Sequence, residues 1–316
     1  MNKCAFLFTG QGSQYIGMGK DLYEQKHIFR KIINETNEYL KIDLLKICSN
    51  QIELSKTHNA QIAIFAISYG IYKLLKQNDI IPDCIAGFSL GEITSLAVSE
   101  ILSFNDTLDL IKIRGEVMQE GCEYKSGSMY SIIGADDKLV EEVCETISKS
   151  NQNKYIIPAN YNCPGQIVIS GETEAVEEAV KIFTEKKIRA VKLNVAGAFH
   201  SELMQYKQEK LIEFLKTLNF NQPQINLYSN VTGKKFIFDE NIKNFMINYI
   251  PKQMSNPVRF RTELENIEKN GCDLFIEIGA GKALSGFVRR TCENAKFTNI
   301  QDVDTFEWAV KIFNEK

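Results

Sequence analysis

Gly87-Phe88-Ser89-Leu90-Gly91 begins where a short apolar run, Pro82 to Ala86, ends, and it finishes where an amphipathic helix begins. A serine flanked by glycines at a strand-to-helix turn is the pattern of a nucleophile elbow. The bend exposes the hydroxyl, and the small neighbours let a reacting carbonyl approach. Outward from the elbow, helical spacing of apolar residues predicts helices from about Gly91 to Glu100 and from about Asn105 to Glu120. On the N-terminal side, Ala60 to Leu75 reads as a helix with Gln61 in its first turns, and Cys4 to Phe8 as a strand. That strand runs into Thr9-Gly10-Gln11-Gly12-Ser13-Gln14. A dinucleotide fingerprint would need glycine at Tyr15 and a phosphate loop would need a Gly-Lys-Ser/Thr ending, so this turn is neither. Alternating strand and helix predict a parallel sheet covered on both faces.

Between residues 127 and 195 the order changes. Met129 to Ile133 is strand-like, Asp136 to Ser150 helical, Tyr155 to Tyr161 and Gln166 to Ser170 strand-like, Thr173 to Lys187 helical, and Ile188 to Val195 strand-like. This βαββαβ order is that of a ferredoxin-like module. It is expected as a small domain, 127–195, inserted into a large α/β domain made of 1–126 and 196–316. After Ala198-Phe199-His200-Ser201, one helix is expected with Leu203, Leu211, Phe214, Leu215 and Leu218 on its apolar stripe. Leu274 to Ile278 reads as a buried strand turned by Gly279-Ala280-Gly281-Lys282 into a helix, and a terminal amphipathic helix starts near Asp304.

The 316 residues are 44% hydrophobic and 24% charged, enough for a substantial core. A formal charge of −3 argues against nucleic acid as the main partner. The N-terminal apolar stretch is too short for a signal peptide, and no run approaches the roughly 20 apolar residues of a membrane span, so a cytoplasmic protein is expected. Eight cysteines form no CxxC pair, and His27, His58 and His200 stand beside no cysteine cluster, so no metal site is expected.

A serine nucleophile needs a base. His27 lies in a charged, helix-like stretch and His58 between Thr57 and Asn59. His200 sits at an element boundary before Ser201, a candidate helix cap whose N-terminal partial charge would help keep the imidazole neutral. At about 100° per residue, Arg114 falls in the apolar arc of its helix with Leu110, Ile111, Ile113, Val117 and Met118. A guanidinium there must be paired or snorkel out. It either clamps a substrate carboxylate or forms a salt bridge to a protein acid.

Together these segments resemble the malonyl-CoA:acyl carrier protein transacylase family, which includes the discrete acyltransferases of polyketide synthases. The resemblance runs through Phe8 to Gln14, Gly87 to Glu92, Ile113-Arg114-Gly115, Asn160-Tyr161-Asn162-Cys163-Pro164-Gly165-Gln166, Ala198 to Ser201 and Glu277 to Gly281, over nearly the whole chain. It implies an α/β hydrolase-like large domain with a ferredoxin-like insert. It implies malonyl transfer from malonyl-CoA to the phosphopantetheine thiol of an acyl carrier protein, through a malonyl-serine ester, in fatty-acid or polyketide synthesis. Ser89 would be the nucleophile and His200 its base, with the N–H groups of Gln11 and Leu90 as oxyanion hole. Arg114 would pair with the malonyl carboxylate, Gln61 would support positioning, and the main-chain carbonyl of Gln253 would orient the histidine. Asn160 and Asn162 of the matching motif would line the substrate site, and Phe199 resembles the malonyl-selective members. No cofactor is implied, nor any nucleic acid or membrane partner, and a monomer is expected. Phe88 departs from the family, which most often has histidine there. The competing readings are an acyl hydrolase that edits a polyketide pathway and a non-catalytic carrier-docking protein; the absence of an HGGG-type segment argues against an ordinary esterase.

Overall fold

The computed structural model describes residues 3–150, 154–238 and 240–314; positions 1–2, 151–153, 239 and 315–316 of the expected domains lie outside the described residues. Its strands are β1 (Lys3–Phe8), β2 (Cys84–Gly87), β3 (Gly127–Ile133), β4 (Ile156–Cys163), β5 (Gln166–Glu172), β6 (Arg189–Lys192), β7 (Asn226–Leu227), β8 (Cys272–Ile278) and β9 (Lys296–Ile300). Five of them form a wholly parallel sheet in the order β7-β2-β1-β8-β9. A parallel sheet needs crossover connections, whose helices cover its faces. Period-two alternation in β1 sends Cys4, Phe6 and Phe8 into the main core and Ala5 and Leu7 into a second core on the opposite face. Every residue of β1 after Lys3 is buried.

The other four strands form an antiparallel sheet in the order β4-β5-β3-β6, with helices Asp137–Ser150 and Thr173–Glu185 supplying its own core around Val140, Ile147, Ile169 and Phe183. This is the expected βαββαβ, with the strand order and directions of a ferredoxin-like sheet. The molecule is therefore α/β, with a parallel sheet and a separate antiparallel one. The two are stitched together where Tyr161 N–H donates to Val258 O and Val258 N–H to Ala159 O, each at 2.8 Å.

The elements around the elbow follow the sequence closely. Helix Thr57–Gln77 precedes β2, helix Leu90–Val98 leaves the elbow, and helix Phe104–Tyr124 carries Arg114. Two segments differ. The single helix expected after His200 is broken into a 3-10 turn, Glu202–Gln205, and a helix, Gln208–Thr217, with Lys207 at φ 56° between them. Contacts with helix Phe104–Tyr124 hold this break: Tyr206 stacks on Tyr124 at 4.0 Å, and Lys207 and Lys210 pair with Glu120. The strand expected over Ile188 to Val195 is confined to Arg189–Lys192, paired with Tyr130 to Ile133 of β3, and ends on a last bond from Leu193 N–H to Met129 O at 2.9 Å. Strands β7 and β9, too short or too polar to signal themselves, complete the parallel sheet.

The elbow helix lies almost on top of β1. A Cβ on Gly91 would sit 2.0 Å from Phe8 O, and one on Gly87 would sit 2.0 Å from the backbone of Gly91. Gly91→Ala is expected to lower unfolding free energy in urea by about 2–3 kcal/mol, since the atoms it strikes are backbone and cannot rotate away. Gly286, in helix Ala283–Thr291, has nothing within 4 Å of an added Cβ, and Gly286→Ala should stabilise by up to about 1 kcal/mol.

Candidate active site

Ser89 stands at the end of β2 with φ 55° and ψ −99°, a conformation that costs a non-glycine residue about 1–3 kcal/mol and persists only when its surroundings hold it. The turn lifts the side chain toward the segment after β6, where His200, also at φ 57°, brings Nε2 to 2.8 Å from Ser89 Oγ. The other ring nitrogen, Nδ1, lies 3.0 Å from Gln253 O. A carbonyl can only accept, so Nδ1 carries the hydrogen and Nε2 is free to take a proton from the serine. The orienting group is thus a main-chain carbonyl on helix Ile242–Ser255 rather than a carboxylate.

His200 is 4% exposed, and burial together with the nearby Arg114 charge pulls its pKa from 6.5 down to about 4. These two causes, not a helix N-terminus, keep the imidazole neutral. Ser201 does not cap with its side chain; its hydroxyl donates to Ala198 O at 2.6 Å.

Arg114 is 1% exposed, the bulkiest fully buried side chain. Nη1 donates to Gln61 Oε1 at 2.9 Å, and Nη2 to Ser89 Oγ and Gln253 Oε1, both at 3.2 Å. Its Nε meets no acceptor. Among the described residues no carboxylate lies in salt-bridge contact with it, so the alternative of a protein ion pair is set aside. Burial lowers its pKa to about 10, partly offset by the field of Glu92, and it remains a cation at neutral pH. A desolvated cation held by neutral amides beside a serine hydroxyl offers a place for an anion.

Gln61, fully buried, donates from Nε2 to Gln11 Oε1 at 3.1 Å and so links the first turn to Arg114. Among the described residues the N–H groups of Gln11 and Leu90 meet no protein acceptor. Leu90 begins the elbow helix, where the first N–H groups have no intrahelical partner. Asn160 and Asn162 line a cleft of roughly 650 Å³ between the two sheets, along with Gln11, Phe88, Ser131 and Lys192. Each has a buried polar atom without a partner, Nδ2 of Asn160 and Oδ1 of Asn162. Phe199 is buried in the main core; like Ser89, Arg114 and His200, it is not among the residues that form the cleft wall. Phe88 packs edge-on against Phe260, ring centres 5.3 Å apart at 74°, so an aromatic ring here anchors the elbow to the second core.

Sequence reading missed the polar layer beneath the elbow. Glu92 is 1% exposed, accepts from Tyr249 Oη at 2.6 Å and from Asn230 N–H at 3.0 Å, and burial raises its pKa to about 7. Glu263, fully buried, is raised well above the carboxylate range by burial and by Glu92. One signal was present: Glu92 is the sole charge in the otherwise uncharged helix Leu90–Val98, whose every residue is buried. Asn230 carries no comparable mark.

Residues 5–308 match the acyl transferase domain family. The chain is 37% identical to the malonyl CoA-acyl carrier protein transacylase of Bacillus subtilis, over all of this chain and 99% of that one. It is 34% identical to the protein of the same name from Staphylococcus aureus, again over all of this chain and 99% of the relative. Among solved structures, the malonyl CoA-acyl carrier protein transacylase of Clostridium perfringens superposes with a TM-score of 0.91 at 36% identity, covering 99% of this chain and 98% of that one. A malonyl-transacylase solved in complex with its type II polyketide synthase acyl-carrier protein superposes equally well, TM-score 0.91 at 30% identity, over 98% and 99% of the two chains.

In a histidine NMR titration the His200 ring should keep its neutral signature through pH 6 and protonate with a midpoint near 4. A midpoint at or above the unperturbed 6.5 would contradict the buried environment described here.

Proposed function

The chain belongs to the acyl transferase family, and from that membership we propose that it moves a malonyl group from malonyl-CoA to the phosphopantetheine thiol of an acyl carrier protein, through an ester on Ser89. The observation that carries this reading is the buried Arg114 guanidinium, 3.2 Å from Ser89 Oγ and paired only with neutral groups. A malonyl thioester places a carboxylate one methylene from the reacting carbonyl. That short span matches the closeness of cation and nucleophile.

His200 Nε2 takes the Ser89 proton as Oγ attacks the thioester carbonyl. The developing oxyanion is met by the N–H groups of Gln11 and Leu90, each donor worth about 3 kcal/mol in sites of this type. Collapse of the tetrahedral intermediate breaks the C–S bond. The departing coenzyme A thiolate takes the proton held on His200, and its conjugate thiol is acidic enough, with a pKa near that of cysteine at about 8.5, to leave easily. The carrier thiol then gives its proton to His200 and attacks the malonyl-serine ester. The second tetrahedral intermediate expels Ser89 Oγ, which recovers the proton from His200. No step needs a metal or redox cofactor.

Gln61 and the Gln253 side chain hold Arg114 for the carboxylate. The unpartnered amide atoms of Asn160 and Asn162 suit the amides of the pantetheine arm, which donor and acceptor share. The unit 127–195, inserted between 1–126 and 196–316, would form the second wall of the cleft. Phe199 would act indirectly, by packing beside His200 in the core. A monomer is the working unit of this reading. Among the described residues no helix is long and apolar enough to cross a membrane, which accords with a cytoplasmic enzyme serving a diffusible carrier.

Incubated with malonyl-CoA, the wild-type protein should gain the mass of one malonyl group and Ser89→Ala should gain none; an adduct that persists in the variant would exclude Ser89 as the attachment point. Arg114→Ala should lose at least about 100-fold in kcat/KM for malonyl-CoA while acetyl-CoA holds level or improves, because the buried cation left unpaired by an acyl group without a carboxylate is gone. Retained preference for malonyl would remove Arg114 from the role given to it. Offered a carrier thiol, the malonyl-enzyme should pass on its acyl group faster than it releases malonate; the reverse order would identify a hydrolase.

A further inference from the structure

The pairing of β7 with β2 stops at Tyr228, whose N–H donates to Ile85 O at 3.0 Å. Beyond that point the Asn230 side chain takes over the role of a strand. Its Nδ2 donates to Gly87 O at 2.7 Å and its Oδ1 accepts from Ser89 N–H at 2.8 Å. One amide thus bridges the peptide groups on either side of Phe88, while on the opposite side Phe88 N–H donates to Phe8 O at 2.9 Å. The elbow is hydrogen-bonded from both flanks, by β1 backbone on one side and by Asn230 on the other, with Gln253 Nε2 donating to Ser89 O at 2.8 Å.

Asn230 is itself fully held. Nδ2 also donates to Glu263 Oε1 at 2.8 Å, and Oδ1 also accepts from Gln253 Nε2 at 3.3 Å. Two acceptors face one end of the amide and two donors the other, so a flipped amide would set like against like at four contacts. The main chain is pinned as well, N–H to Glu92 Oε1 at 3.0 Å and C=O to Arg259 N–H at 2.8 Å. The residue is 1% exposed and lies outside the cleft wall.

We propose that Asn230 is a positioning residue for the nucleophile: its amide holds Gly87 and Ser89 in the left-handed turn that aims Ser89 Oγ at His200 and leaves Leu90 N–H free, with Glu92 and Glu263 holding Asn230 in turn. The inference rests on the reading of Ser89 as the acylated residue. Removing the amide leaves Ser89 N–H and Gly87 C=O without their partner in a dry interior, and the turn relaxes toward ordinary backbone angles. Arg114 keeps its bond to Gln61 Oε1, Gln253 Nε2 keeps its bond to Ser89 O at 2.8 Å, and Asn160 and Asn162 make no hydrogen bond to Asn230, so the groups assigned to substrate retain partners of their own. The chemical step should therefore suffer while substrate affinity does not.

Ser89 acylation is followed in the full chain by rapid quench and intact-protein mass over a range of malonyl-CoA concentrations, for wild type, Asn230→Ala and Asn230→Asp. In Asn230→Ala the limiting acylation rate should fall by about 100-fold, the scale expected for an ångström of misplacement. Its half-saturating malonyl-CoA concentration should stay within about threefold of wild type. Asn230→Asp keeps an acceptor for Ser89 N–H in nearly the same volume and should acylate faster than Asn230→Ala. It carries the test by the same two constants if the alanine variant does not fold. A limiting rate at the wild-type level in either variant, or a loss expressed only as weaker half-saturation, would overturn the role. Failure of the wild-type protein itself to take up malonyl would strike the proposed function instead.

Discussion

The tight seating of the elbow on β1 is the constraint on which the site depends. Gly91 brings the first turn of its helix so close to Phe8 O that no side chain fits between them, and Ser89 just before it sits at φ 55°. The same contact brings the end of β1 beside the end of β2, so the turn carrying Gln11 and the elbow carrying Ser89 and Leu90 leave the sheet at one edge. Adjacent parallel strands end together, and the loops after their C-terminal ends are where open α/β sheets gather ligand-binding groups.

Electrostatics then decides which charges survive there. Arg114, His200, Glu92 and Glu263 are all buried, and the pKa of each is displaced toward its neutral form, chiefly by burial. Of these four, Arg114 alone starts far enough from neutrality to stay charged, and that cation lies next to Ser89. His200 is kept neutral by the same desolvation and by that cation, which is the state a general base requires. Tyr249 and the backbone of Asn230 hold Glu92 Oε1, while Oε2 of Glu92 and Oε2 of Glu263 lie buried without a hydrogen-bond partner.

The antiparallel sheet lines one wall of the cleft. Its β4 is tied to Val258, four residues beyond the end of the Met254 contact that fixes His200 N–H at 3.1 Å. Asn160 and Asn162 therefore face the cleft from a strand whose backbone is coupled to the segment that follows the histidine's support. Phe88 fits the same economy of design: the ring fills a notch against Phe260 and Phe287 in the second core.

Local patterns in the chain carried the strand-turn-helix around Ser89, the βαββαβ order of 127–195 and the odd position of Arg114 on an apolar arc, because each depends on the period of a single element or on the chemistry of a short turn. The cluster of Ser89, His200 and Arg114, which the structure brings into contact, was also legible as a candidate site, since these residue types are out of keeping with their surroundings. Other features needed the tertiary structure. The break at Lys207 comes from stacking on Tyr124, and the neutrality of His200 from burial beside Arg114. The neutral partners of Arg114 come from two separate helices, and Asn230 reaches the elbow across 141 positions of sequence. Periodicity reports which face of an element is buried; only the packed chain brings distant polar groups within hydrogen-bonding distance and so decides which of them meet.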